Sequence, residues 1–161
     1  MKVADNALKL PERAVAAWRL HNAGWCLLLW IAPLFFWVLY FASDEANSWF
    51  VWLITAAAAA ITVILVIIVP NLRWRQWYYH IDENEVELQN GIIILQQTLI
   101  PLNRVQHVNT RQGPVLDNYG LADVIISTAA TNHKIPALDN ETAEKVRKKI
   151  SMFARKARED V

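Results

Sequence analysis

Four histidines (His21, His80, His107, His133), one cysteine (Cys26) and an acidic run (Asp82, Glu83, Glu85, Glu87) are the side chains whose types suit metal binding, proton transfer or nucleophilic attack. Their spacing serves none of these. The histidines are scattered, with no HExxH or His-x-His pair, so they read as surface or packed residues. A calcium loop needs oxygen ligands at EF-hand intervals around a glycine, which the acidic run lacks; a solvated turn and strand edge explains it. Cys26 has no partner for a disulfide and lies in an apolar run that disfavours the thiolate, so it reads as a packing residue rather than a lipid-modification site. There is no GxSxG motif and no phosphate-cradling loop, and the four glycines are dispersed. The sequence predicts no catalytic set, no cofactor and no metal.

The cationic and aromatic residues point elsewhere. Eight tryptophans are an excess for 161 residues. Most lie where an indole, with its apolar body and single N–H donor, suits the headgroup boundary of a bilayer. The candidate membrane-interface residues are Trp18, Arg19, Trp25, Trp49, Trp52, Arg73, Trp74, Arg75 and Trp77. Trp30 and Trp37 fall deeper, seven positions apart on one helical face, and read as packing or lipid-facing. Lys145, Lys148, Lys149, Arg155 and Lys156 are candidate lipid- or partner-binding cations, set against the simpler reading of a solvated helix face.

These residues are positioned by two long apolar runs. Residues 23–42 contain no charge, and residues 49–69 have only Thr55 and Thr62 as polar interruptions. Each run is about 20 residues, which at roughly 1.5 Å per residue matches a hydrocarbon core of about 30 Å. The sequence therefore predicts a transmembrane hairpin with a short extracytoplasmic loop at 43–48. Lys9, Arg13, Arg19, Arg73 and Arg75 flank the spans, whereas the loop carries Asp44 and Glu45 and no cation. The positive-inside rule then places both termini in the cytoplasm. Residues 1–22 read as a cytoplasmic amphipathic segment, with a helix starting near Pro11. Pro33 predicts a kink, and Ala56–Ala60 offers a smooth surface for close helix packing. No ionisable group lies within either span, so the hairpin reads as an anchor rather than an ion path.

After Pro70 the period changes to two. Trp77, Tyr79 and Ile81 alternate with polar residues, and Val86 and Leu88 repeat the pattern. Asn90-Gly91 signals a turn, with a third strand within 92–100 and the reversal either there or nearer Gln96-Gln97. Further strands are expected at 105–110, 121–128 and 133–136, with a loop around Val115 and Leu116. Leu121, Val124 and Ile126 are the inward residues of the long strand. A helix over 139–159 follows, with Asp139 as N-cap and a stripe of Ala143, Val146, Ile150, Phe153 and Ala157.

The stretch Ile100-Pro101-Leu102-Asn103-Arg104-Val105, followed by Arg111-Gln112-Gly113-Pro114 and Gly120-Leu121, resembles the bacterial pleckstrin-homology-like (PH-like) family of membrane proteins, in its YdbS-like type. Tyr78-Tyr79 and Asn90-Gly91-Ile92 fit the same pattern. The resemblance implies an antiparallel split barrel of about seven strands with a C-terminal capping helix, occupying 70–161 on the cytoplasmic side of a bacterial inner membrane. It carries over no catalytic residue. Arg104 and Arg111 read as strand-end hydrogen-bonding groups before a ligand site.

The functional expectation is a non-enzymatic, membrane-anchored scaffold or interaction protein, with the family suggesting envelope stress or antimicrobial tolerance. Its expected partners are the bilayer and either a second copy or another PH-like membrane protein. The alternative is an anionic-phospholipid-binding or transport-accessory subunit. No basic face extends over the whole domain, so no nucleic-acid partner is expected.

Overall fold

The computed structural model describes residues 7–42 and 48–159. Internal contacts divide these into Trp18–Asn71 and a second unit that joins the residues up to Ala17 with those from Leu72 onward. Most of the expected loop at 43–48 lies outside the described residues.

The helices follow from the uninterrupted apolar runs: α1 (Arg13–Leu29), α2 (Ile31–Ala42), α3 (Ser48–Val63) and α4 (Val69–Arg75), with a π-helical turn at Ile64–Ile68 between the last two. Arg13–Ala42 and Trp49–Arg75 are each long and apolar enough to cross a membrane. Both exceed the expected 23–42 and 49–69, because the polar flanks continue the helical ladder. The interruption at Trp30 has a cause in Pro33, whose ring crowds the carbonyl of Leu29 and offers it no N–H.

The π turn likewise precedes a proline. Val69 N–H reaches back five residues to Ile64 O. The equivalent donor for Leu65 O would be Pro70, which has none, and Asn22 Nδ2 donates to that carbonyl instead at 2.7 Å. Polar groups within the helix pair are matched in register. Trp30 Nε1 donates to Thr62 Oγ1 (3.1 Å) and Trp37 Nε1 to Thr55 Oγ1 (3.0 Å). Each threonine hydroxyl donates back along its own helix, to Ala58 O and Val51 O, both at 2.8 Å. Phe36 meets Phe50, and Trp37 meets Trp52, edge to face across the same seam.

The other unit is two antiparallel sheets. The first has the order β1 (Leu8–Lys9), β2 (Tyr78–Ile81), β3 (Glu85–Asn90), β4 (Gln96–Pro101). The second has the order β5 (Val105–Arg111), β6 (Leu121–Thr128), β7 (Asn132–Asp139). A 3-10 turn, Leu102–Arg104, joins them, and they do not close into a barrel. The alternation in β2 and β3 places Tyr79, Ile81, Val86 and Leu88 in the core, with Trp77 beside them. The reversal between β3 and β4 pairs Asn90 with Gln96, so residues 91–95 form the turn and the strand starts later than Ile92. The loop around Val115 and Leu116 contains a short helix, α5 (Pro114–Asn118), started by Gly113 and Pro114.

Two features depart further from expectation. Residues 7–17 are not a separate amphipathic segment: Leu8 and Lys9 pair with Tyr79 and Tyr78, and Leu10, Ala14 and Ala17 are buried. The chain begins its first sheet before the helix pair and resumes it afterwards. The second departure is in α6 (Asn140–Glu159), which packs on β5, the 3-10 turn, β6 and β7. It buries Ala143, Val146, Ile150 and Ala154; Phe153 and Ala157 lie at the edge of that stripe.

Candidate functional site

Because the sheets stay apart, β4 and β5 are both outer strands. They flank a groove of about 990 Å³ whose lining includes Leu99, Pro101, Arg104, His107, Thr128 and His133. The connection Pro101–Arg104 places these side chains, since the 3-10 turn buries Leu102 and leaves Asn103 and Arg104 outside. Leu99 is 54% exposed on the outer strand β4. The groove unites three residues that the sequence left apart: Arg104, His107 and His133. Among the described residues no three His, Cys, Asp or Glu side chains are placed to hold a metal. Chemically the groove offers strand-edge hydrogen bonding with an apolar wall and a cation at its rim.

The helix cations are not gathered into one patch. Lys145 bonds Glu141 at 2.6 Å, Lys148 lies 3.9 Å from Glu144, and Lys156 lies 3.4 Å from Glu83. Lys149 donates to Ile81 O at 3.3 Å and stands over the Phe153 ring. The hydrogen bond from Lys145 holds the Glu141 carboxyl below its ordinary range, as the one from Arg147 does for Glu144. Lys145 and Lys149 line a groove with Leu8 and Tyr79, whereas Arg155 lines another beside Val105 and Val108.

The expected interface residues also separate. Trp25, Trp49 and Trp52 are 64%, 60% and 63% exposed, and Arg19 bonds Asn71 at 3.2 Å. Trp25 Nε1 donates to His21, and Trp18 is half-buried. Arg73 and Arg75 are exposed on either side of Trp74, whose indole donates to Leu10 O at 2.9 Å. Trp77, expected at the headgroup boundary, is instead a core residue at 3% exposure, because β2 turns that face inward.

Asp123 was not singled out by sequence. It is buried opposite a bulge, where Ala122 pairs with Leu138 and Val124 with Ile135, so Asp123 faces both Pro136 and Ala137. Its carboxylate accepts from Ala137 N–H at 2.9 Å and Lys134 Nζ at 2.6 Å. Ala137 has φ +52°, a left-handed conformation that this bond supports. The extra residue lies in β7, and its signal in the sequence was Pro136, which has no N–H for a sheet ladder and is accommodated at bulges.

Two apolar helices long enough to span a bilayer, two antiparallel sheets and a closing helix define a bacterial PH-domain membrane protein. The bacterial PH domain family model matches residues 23–154, and the chain belongs to that family. It is 40% identical over 160 residues to the transmembrane protein YdbS of Bacillus subtilis (strain 168), covering 95% of this chain and 96% of the relative. It is also 26% identical over 106 residues to the transmembrane protein YdbT of the same organism, covering 63% of this chain but 21% of that longer protein. No solved structure matches.

Proposed function

We propose that this is a non-catalytic adaptor of the bacterial cytoplasmic membrane, crossing it twice with both termini inside. Its PH-like unit would bind a second PH-like membrane protein, or another copy, along its open strand edges. The observation that carries this reading is the groove between β4 and β5, the outer strands of the two sheets, beside an apolar wall. The likeness to a part of the longer YdbT supports a partner built from the same module. Pairing of Leu8–Lys9 with Tyr78–Tyr79 supports an even number of crossings, because the residues before and after the helix pair share one sheet. The basic flanks and cation-free loop support the cytoplasmic side. The family resemblance alone suggests a role in envelope stress or antimicrobial tolerance, which predicts poorer survival of a deletion strain under membrane-active peptides.

The test is photo-crosslinking in membranes from Leu99 and His107, with Asp117 on α5 as control. Adducts with a PH-domain protein from the two edge positions and not from Asp117 are expected. Crosslink-free edges, together with a monomer in mild detergent, overturn the proposal.

A second reading is favoured by the exposure of Arg73 and Arg75 on either side of Trp74. These cations would hold anionic headgroups, each contributing about 1 kcal/mol near the surface. Reconstitution of the whole chain would then show enrichment of anionic lipid around the protein, lost in the Arg73→Gln/Arg75→Gln variant and at high salt. Equal neutral and anionic lipid shells dispose of it.

A further inference from the structure

The β3–β4 turn carries four consecutive aliphatic residues, Ile92–Leu95, in a stretch without charge from Leu88 to Asn103. Ile93 is 95% and Ile94 81% exposed, whereas the next large apolar side chain of that unit, Met152, is 61% exposed. Turns facing water normally carry polar residues, and neighbouring exposed aliphatics of this extent mark a contact surface. The tip is also built to a definite shape. Gly91 has φ +137°, and a Cβ there would collide with Ile94 O, so the backbone folds tightly over the glycine. With its amide oriented to satisfy both groups, Gln76 Nε2 donates to Gly91 O at 2.8 Å and Ile92 O at 3.2 Å.

Gln76 is the residue directly after Arg75, the end of the second long apolar helix. The turn is therefore fastened to the chain within one residue of where that helix ends, next to Arg73, Trp74 and Arg75. Where that helix crosses a bilayer its end reaches the headgroup layer, the turn is tied within one residue of that end, and an uncharged aliphatic tip can enter the layer without desolvating an ion. We propose that Ile93 and Ile94 insert into the headgroup–acyl boundary as a second, non-spanning attachment of the PH-like unit. This goes beyond the adaptor reading and rests only on its premise that the second long apolar helix crosses the bilayer.

The test uses the whole chain in proteoliposomes, with Cys26→Ser as background and a polarity-sensitive dye on Ile93→Cys; a dye on Asp117→Cys is the control. At 95% exposure Ile93 contributes little to the fold, so the labelled protein is expected to retain it. The dye at 93 is expected to emit to the blue of the control and to be quenched severalfold more strongly by shallow doxyl-lipid. Adding Gln76→Leu is expected to reduce that quenching, because the tip keeps its composition and loses its fastening. A dye at 93 that reads as water-exposed and unquenched overturns the proposal. A blue shift that lipid does not quench and that fades on dilution of protein in lipid assigns the tip to a second copy, and overturns it equally.

Discussion

Asp123 shows how a single side chain can set a backbone. Its carboxylate is the acceptor for Ala137 N–H inside the core, at a residue that would not otherwise favour positive φ. Asp123→Ala leaves that donor without its acceptor, and a loss of about 1–3 kcal/mol is expected. Asp123→Asn keeps an acceptor and should lose less, which chemical denaturation of the purified protein would resolve. Tyr79 supplies a different test. Burial, and then the charge of Asp139, raise its phenol above its ordinary value near 10. A raised acid favours the protonated form in the folded state. Its stabilisation is complete below the pH where an unfolded tyrosine titrates and is lost as pH climbs through the folded value. Phenolate absorbance should therefore show a late-titrating component that is lost in Tyr79→Phe, and that variant should move alkaline unfolding to higher pH.

Among elements, the helix pair and the β3–β4 hairpin make contrasting cases. The apolar runs made the helices legible, since nothing else explains so long a stretch without charge. The locks between them were not, because a Trp and a Thr each look ordinary until the register brings Trp30 to Thr62 and Trp37 to Thr55. A double-mutant cycle of Trp37→Phe with Thr55→Val should show a coupling of about 0.6 kcal/mol. Asn22→Leu strands the Leu65 carbonyl and should cost about 1–2 kcal/mol, read like the cycle by unfolding of the whole chain in mild detergent. In the hairpin, four aliphatics in a row resembled strand interior, and only backbone geometry shows them to be a turn. Gly91→Ala meets both positive φ and the Ile94 carbonyl, so a loss of about 1–3 kcal/mol is expected by thermal melting. The groove was equally hidden, since it depends on two sheets failing to close.

For the whole molecule, the family pattern foretold the PH-like architecture, yet the first strand escaped notice. Two residues, Leu8 and Lys9, have no period of their own and become a strand only by pairing with Tyr79 and Tyr78. A fragment starting at Leu72 would lack that strand and the burial of Leu10, Ala14 and Ala17. It should melt below an otherwise equal protein in which residues 1–17 are joined to 72–161 by a soluble linker.

That pairing also has a consequence for biogenesis. The ribosome releases Leu8 and Lys9 long before Tyr78 and Tyr79, with both greasy helices made in between. Where the helix pair crosses a membrane, the sheet can close its outer edge only once both ends lie in one compartment. A molecule threaded once instead of twice would leave its opening residues on the far side of the bilayer, and its β-rich half would carry the mistake as an unfinished, protease-sensitive edge. Completion of this small sheet thus requires the chain on both sides of the helix pair to meet in one compartment.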